Sequence, residues 1–167
     1  MSTIKYTGKQ DVVKRGIIKK NGVFYKQSLL EVWHAKGWLE FGGSKYSSDD
    51  RLRFGLKLAL DYQIISRANL HSSYIFNNKI DLSANVESRA FLDAKDSYSQ
   101  AVKSVPAEFW KIVRQICIEE REPVAPAGMS ERQKTYFYFL CRTDLCRGLD
   151  RIIKLHTSKL KNVKNDN

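Results

Sequence analysis

Basic side chains recur at helical spacing near the end of the chain, where their chemistry would suit contact with DNA. The candidates, with one threonine among them, are Arg142, Thr143, Arg147, Arg151, Lys154, Lys159 and Lys161. An arginine guanidinium can donate two hydrogen bonds to a guanine edge in the major groove, and a lysine ammonium suits a phosphate. The pattern predicts that the first four residues read bases and that the three lysines hold the DNA backbone.

A second basic group lies on an earlier segment that has the periodicity of a helix. Arg51, Arg53 and Lys57 fall on the predicted outer face of that segment. These side chains could add contacts to the DNA backbone if their helix lies alongside the duplex. The basic N-terminal arm could reach a groove in the same way.

The sequence carries none of the common catalytic or metal-binding motifs. It lacks phosphate-binding glycine loops, the histidine pair of zinc proteases and CxxC pairs. Cys141, Cys146 and His156 have no fourth ligand at a spacing that suits a metal. Glu119 and Glu120 are adjacent, so on a helix they point to different faces. We therefore predict that the protein is not an enzyme and holds no metal or cofactor.

The charge of the chain favours a polyanionic partner. The 167 residues carry a formal net charge of +11 at pH 7. Positive charge collects in residues 1–27 and 142–164, whereas the middle of the chain is closer to balanced. Basic residues gain affinity for nucleic acid because their phosphate contacts release counterions. The alternative is a basic surface that serves only solubility.

Hydropathy and cysteine usage predict a cytoplasmic protein with no membrane segment. No stretch approaches the roughly 18 consecutive apolar residues of a membrane-spanning helix. The first residues are charged and lack the apolar centre of a secretory signal. Cys117, Cys141 and Cys146 are an odd number and lie in apolar, helical segments, which is typical of free buried thiols in a reducing compartment.

The periodicity of apolar residues predicts a mainly α-helical fold in three parts. These are a basic arm with a small β-hairpin over residues 1–27, a helical DNA-binding domain over 28–157 and a disordered basic tail over 158–167. Asn21-Gly22 between two β-rich runs indicates the hairpin, because a type I′ turn needs positive φ at both positions.

Start and stop signals place the helices of the central domain. A capping box at Ser28–Glu31 and a stop at Gly37 bound the first helix, with Leu29, Leu30 and Trp33 facing inward. Further helices are expected over 47–67, 85–103 and 106–121, and a loop over 68–82 with room for a short strand at 74–76. In the second helix the predicted inward stripe is Leu52, Leu56, Ala59, Leu60 and Ile64.

The stretch from Ser130 to His156 is compatible with two structures. Gln133 can reach back to the Ser130 amide, so a helix should begin there. One long helix would keep the apolar path of the stretch unbroken. Alternatively, Thr143 caps a second helix, and 130–141, 143–157 and the preceding helix 106–121 form a three-helix helix-turn-helix unit. Gly148 would lie inside either helix, at a cost of about 1 kcal/mol relative to alanine.

Four landmarks occur in an order that resembles one protein family. They are SLLEVWHAKG (28–37), SSDDRLRFGLKLALDYQI (47–64), the helix 105–122 with its acidic end and LCRGLDRIIKLH (145–156). This order is similar to that of an uncharacterised family of helix-turn-helix proteins from alphaproteobacteria and their prophages. The resemblance implies DNA binding and control of transcription, and it transfers no catalytic residue. The segment 136–139 departs from the family because it is aromatic and lacks the turn glycine.

Two functions follow from these patterns. The first is a transcriptional regulator of phage or prophage type that reads double-stranded DNA through a helix-turn-helix. The second is a protein-interaction factor that binds RNA polymerase and modulates elongation or antitermination. In the second, the aromatic run Tyr136–Phe139 and Trp110 would form the contact face, although the same side chains could be core. A homodimer is compatible with both functions.

Overall fold

The structure is a computed structural model that describes the backbone of residues 17–20, 23–77 and 89–165. Side chains are described for residues 26–67 and 89–158. Residues 1–16 of the predicted arm and hairpin region, and the Asn21-Gly22 turn, lie outside the described residues.

The described residues are mainly helical, which confirms the predicted fold class at that level. Two short strands, β1 (Ile17–Lys20) and β2 (Val23–Lys26), pair antiparallel with Ile17 opposite Lys26. The helices are α1 (Leu29–Ala35), α2 (Ser48–Asn77), α3 (Arg89–Ser104), α4 (Ala107–Val113) and α5 (Glu131–Asn165). A single π-helical turn, Arg114–Ile118, continues α4.

Helix α1 forms as its local signals predict. The Ser28 hydroxyl accepts a hydrogen bond from the Glu31 amide, and the Glu31 carboxylate accepts one from the Ser28 amide. Gly37 follows the helix with a φ of 72°, a left-handed conformation that glycine adopts at low cost. Leu29, Leu30 and Trp33 are buried, so the predicted inward face is confirmed.

Helix α2 differs from prediction in its length and in its buried face. It continues to Asn77 through a stretch expected to be a loop, and no proline or glycine occurs between residues 68 and 77 to stop it. Within residues 48–67 its buried positions are Arg51, Gly55, Leu58 and Asp61, whereas Leu60, predicted to point inward, is exposed. The side that packs into the core therefore includes two charged residues and a glycine.

Helix α5 is continuous from Glu131 to Asn165, which is the single long helix of the two alternatives. The other alternative, a turn at residues 142–144 within a helix-turn-helix, is wrong. The helix also runs through residues 158–165, where a disordered tail was predicted. Its start follows prediction, because the Ser130 amide donates to Gln133 Oε1 over 2.8 Å. No proline or glycine breaks the chain at Arg142–Asp144, and Asp144 lies 3.9 Å from the exposed Arg147 instead of capping a new helix.

The core lies where α5 packs against α2, α3 and α4, with α1 and the π-helical turn packed on α2. Its buried residues on α5 include Leu145, Cys146, Leu149, Ile152 and Ile153. Those on α4 and the π-helical turn are Ile112, Val113, Ile116 and Cys117.

Two glycines permit the close helix crossings of this core. A Cβ built at Gly148 on α5 would lie 2.4 Å from Val113 Cγ2. A Cβ at Gly55 on α2 would lie 2.3 Å from Leu30 Cδ2. Gly148 therefore offsets its cost in helix propensity by allowing α4 and α5 to approach each other.

Candidate nucleic-acid interface

The solvent-facing side of α5 carries three of the predicted DNA contacts in one line. Arg147, Arg151 and Lys154 are exposed and follow one another at steps of four and three residues. Such steps keep side chains on one face of a helix, with axial spacings of about 6 and 4.5 Å. We name these three residues the cationic row. The row lies opposite the buried face of α5, so the core orients all three side chains.

Arg147 is the member of the row with the most defined surroundings. Its guanidinium carbon lies 5.9 Å from the ring centre of Phe41 and 6.0 Å from that of Phe109. Its Nη1 lies 3.9 Å from Asp144 Oδ1, at the edge of the distance at which an ion pair forms. The side chain is still 53% exposed, so two rings flank the guanidinium without covering it.

Arg142 and Thr143 are placed differently from the cationic row. The Arg142 guanidinium carbon lies 3.7 Å from the ring centre of Trp38, a cation–π contact that ties α5 to the segment after α1. Both residues are half-buried. The structure therefore separates Arg142 from Arg147 and Arg151, whereas Thr143 shares their helix face but is less exposed.

Arg51 is buried, so its predicted role as a phosphate contact is wrong. Its side chain is 1% exposed, and its Nε donates to Asp150 Oδ1 over 2.8 Å. Its Nη2 donates to Asp150 Oδ2 over 3.1 Å, and its Nη1 to the Leu39 carbonyl over 2.8 Å. Ser44 Oγ adds a hydrogen bond of 2.7 Å to Asp150 Oδ2. Each of the three guanidinium nitrogens thus donates a hydrogen bond inside the fold, where a buried charge requires a partner.

The two remaining predicted contacts on α2 do not join the cationic row. Arg53 is exposed on α2, and its Nη2 lies 3.2 Å from Asp50 Oδ1. Lys57 Nζ lies 2.7 Å from Asp61 Oδ2 and 3.1 Å from Ser97 Oγ. Each of these α2 cations has an acidic partner. Lys159 and Lys161 continue α5, but their side chains lie outside the described residues.

The first turns of α5 expose aromatic and aliphatic side chains. Tyr136 is 62% exposed, Phe139 59% and Leu140 39%. We name these three residues the aromatic turns. A surface groove of about 440 Å³ runs beside them, with Met129 and Phe137 among its lining residues. Trp110, predicted to share a contact face with Tyr136–Phe139, instead packs next to the core, with its ring centre 6.0 Å from that of Tyr98.

The aromatic turns are exposed because α5 begins well before it reaches the core. The first fully buried residue of the helix is Leu145, so about three to four turns precede it. The apolar residue types of this segment predict burial. The segment is exposed because the continuous helix extends beyond the core at its N-terminal end.

Burial determines the state of two of the three thiols. Burial raises the pKa of Cys117 to about 12 and that of Cys146 to about 11, so both stay protonated at neutral pH. All three cysteines are free, and Cys117 and Cys146 are buried as predicted. Glu119, at the acidic end of the π-helical turn, is bound by Arg114 and Arg121.

Neither a metal-binding cluster nor a membrane-spanning helix occurs in the described part of the chain. No group of three histidine, cysteine, aspartate or glutamate side chains there could hold a metal ion. Within the same ranges no helix combines the length and apolarity needed to cross a bilayer.

Comparison of the chain with family models, with curated proteins and with solved structures finds no significant match.

Proposed function

We propose that this protein binds nucleic acid and that the cationic row on α5 holds the phosphate backbone. The observation that supports this most directly is the exposure of Arg147, Arg151 and Lys154 along one face of a helix anchored in the core. A rigid element presents its side chains at fixed spacing, so the entropic cost of binding is small.

The charge balance around the row supports a polyanion as ligand. The chain as a whole carries +11. Asp150 also lies on this part of α5, but its carboxylate is neutralised by the buried guanidinium of Arg51. Among the described residues, Asp144 carries the one carboxylate within 4 Å of an Arg147 nitrogen, at a distance of 3.9 Å. The row therefore keeps a net positive field toward solvent.

The proposed mode of binding differs from that of a helix-turn-helix. A recognition helix enters the major groove at its N-terminal end, after a turn that frees it from the helix before it. In α5 the residues before Arg147 are helical and belong to the same rod. Phosphate contact along the side of the helix is therefore the proposed mode, and a role in transcription control rests on the resemblance to phage and prophage regulators.

Salt dependence tests this proposal. Removal of one phosphate-binding side chain lowers the slope of log K against log salt by about 0.9 for duplex DNA. The variant R147Q/R151Q/K154Q should therefore bind a labelled 20-base-pair duplex more weakly and lower the slope by about 2.7, measured by fluorescence anisotropy between 50 and 200 mM salt.

A matched control separates the cationic row from overall charge. Lys95, Lys103 and Lys111 are exposed on α3 and α4 and do not belong to the cationic row on α5. Their triple glutamine variant removes the same charge and should change the slope by less than about 0.9, the value for a single phosphate. An equal decrease in slope for the two variants would show that net charge, and not the row, carries binding. Undetectable binding of the unmodified protein to both duplex and single-stranded DNA at low salt would refute the proposal.

A second candidate is a protein-interaction factor, with RNA polymerase as its partner. The exposed aromatic turns and the groove beside Met129 and Phe137 favour it, since aromatic side chains anchor protein interfaces. Recovery of purified polymerase by the immobilised protein in nuclease-treated solution, abolished in a Leu140→Asp variant, would support this candidate. No recovery would remove it.

A further inference from the structure

We infer that the nucleic acid is single-stranded and that Tyr136 and Phe139 stack on its bases. This inference rests on the proposed function, because it extends the cationic row toward the start of α5. It assigns the aromatic turns to the same ligand as the row.

The two surfaces are continuous along one side of α5. Residues at steps of three and four share a helix face, and such steps link the row to the aromatic turns without a gap. The linked positions are Arg132, Tyr136, Phe139, Thr143, Arg147, Arg151 and Lys154. All of them are exposed except Thr143, which is half-buried. From Tyr136 to Lys154 the line spans about 27 Å at the rise of an α-helix.

The composition of this line matches the chemistry of a single strand. Proteins that bind single strands combine cations that track the backbone with aromatic rings on which bases stack. Here the exposed rings of Tyr136 and Phe139 lie between Arg132 on one side and Arg147 on the other. In a duplex the bases are already stacked on each other, so these rings would gain no partner from it.

Charge disfavours a second copy of the chain as the occupant. Two copies packed antiparallel about Phe139 would bring Arg132 of one within about one turn of Arg147 of the other. Two copies packed in parallel would place each cation beside its equivalent. Like charges across an interface oppose association, whereas a polyanion is attracted by both ends of the line.

The acidic groups near the line do not cancel it. Glu131 Oε1 lies 2.7 Å from Lys134 Nζ, so it is already paired at the helix start. Asp150 is held by Arg51, and Asp144 is the one carboxylate near Arg147 in the described residues. The line therefore retains its positive charge at both ends.

The test compares a labelled 20-nucleotide oligo(dT) with a 20-base-pair duplex by fluorescence anisotropy, at one salt concentration. The variants Tyr136→Leu and Phe139→Leu keep an apolar side chain but remove the π-face. Each variant removes one stacking interaction, so each should bind oligo(dT) about tenfold more weakly. Binding to the duplex should change less than twofold.

Tyr138 provides the matched control. It lies in the same turns but off the line, and its ring contacts Phe137 at 5.4 Å. Tyr138→Leu should leave oligo(dT) affinity unchanged. If Tyr138→Leu weakens oligo(dT) binding as much as the other two variants, the inference is overturned.

Two further outcomes would overturn the inference while the proposed function stands. One is equal or tighter binding to the duplex than to oligo(dT), with a salt slope that depends on the cationic row. The other is a Tyr136→Leu variant that changes the mass seen in sedimentation but not the affinity for oligo(dT), which would assign the aromatic turns to a second copy. Absence of binding to either nucleic acid would refute the proposed function itself.

Discussion

Removal of the Asp150 carboxylate should destabilise the protein strongly, although Asp150 is a polar residue on a helix. Arg51 is 1% exposed, and Asp150 receives two of its three hydrogen bonds. Breaking a buried ion pair by removing one partner costs about 3–5 kcal/mol, because the other charge stays buried and uncompensated. Asp150 is itself 18% exposed, so water can partly replace it and the lower end, about 3 kcal/mol, is expected.

Urea unfolding at pH 7, followed by circular dichroism and extrapolated linearly to water, measures this decrease in stability. Asp144→Ala is the matched control, because that carboxylate lies two turns away on the same helix and makes only a partly exposed contact of 3.9 Å with Arg147. The control should cost less than about 0.5 kcal/mol. The double variant R51M/D150L, which removes both charges, should be more stable than Asp150→Ala. A cost for Asp150→Ala no larger than that of the control would refute the buried-pair reasoning.

Three further predictions concern packing, alkaline stability and capping. Gly148→Ala should destabilise the protein despite alanine's gain of about 1 kcal/mol in helix propensity, because overpacking against Val113 costs about 1–3 kcal/mol; urea unfolding should show a smaller effect in a Val113→Ala background. Burial raises the pKa of Cys117 from 9.0 to about 12, so the contribution of the protonated thiol to stability should be fully present below pH 9 and fall as the pH rises toward 12. Cys117→Ala should reduce this dependence of the unfolding free energy on pH, measured by unfolding across that range. Ser28→Ala should cost about 1 kcal/mol in the same assay through removal of the α1 cap, whereas Ser28→Thr should cost little.

The starts of helices could be predicted from sequence because their signals are local. Ser28 with Glu31, and Ser130 with Gln133, form the reciprocal hydrogen bonds that their spacing suggests. The residues involved are three apart in the chain, so no knowledge of the tertiary structure is needed.

The buried face of α2 could not be predicted in this way. Arg51 and Asp61 are charged, and charged residues are rarely buried unless they are paired. The partner of Arg51 is Asp150, 99 residues further along the chain. A pattern of apolar residues along one helix contains no information about that partner. The pattern therefore predicted burial of the neighbouring stripe, which includes the exposed Leu60.

The candidate site was predictable only where it depends on residues close together in the chain. Arg147, Arg151 and Lys154 lie opposite the apolar residues of their own helix, and this local relation correctly predicts their exposure. The position of Arg142 depends on Trp38, which is more than a hundred residues away. Thr143 and Asp144 are good capping residues, but capping preference is worth about 1 kcal/mol, and the packing of Leu145 and Leu149 on both sides of Gly148 favours one unbroken helix.

The continuity of α5 also sets a constraint on insertions and deletions. One residue inserted after Leu140 would rotate the helix before it by about 100° and move Tyr136 out of line with Arg147, while leaving the buried contacts from Leu145 onward in place. Seven inserted residues would restore the alignment to within about 20° and lengthen the line by about 10 Å. The length of this segment, counted in helical turns, thus determines whether the two ends of α5 act on one ligand.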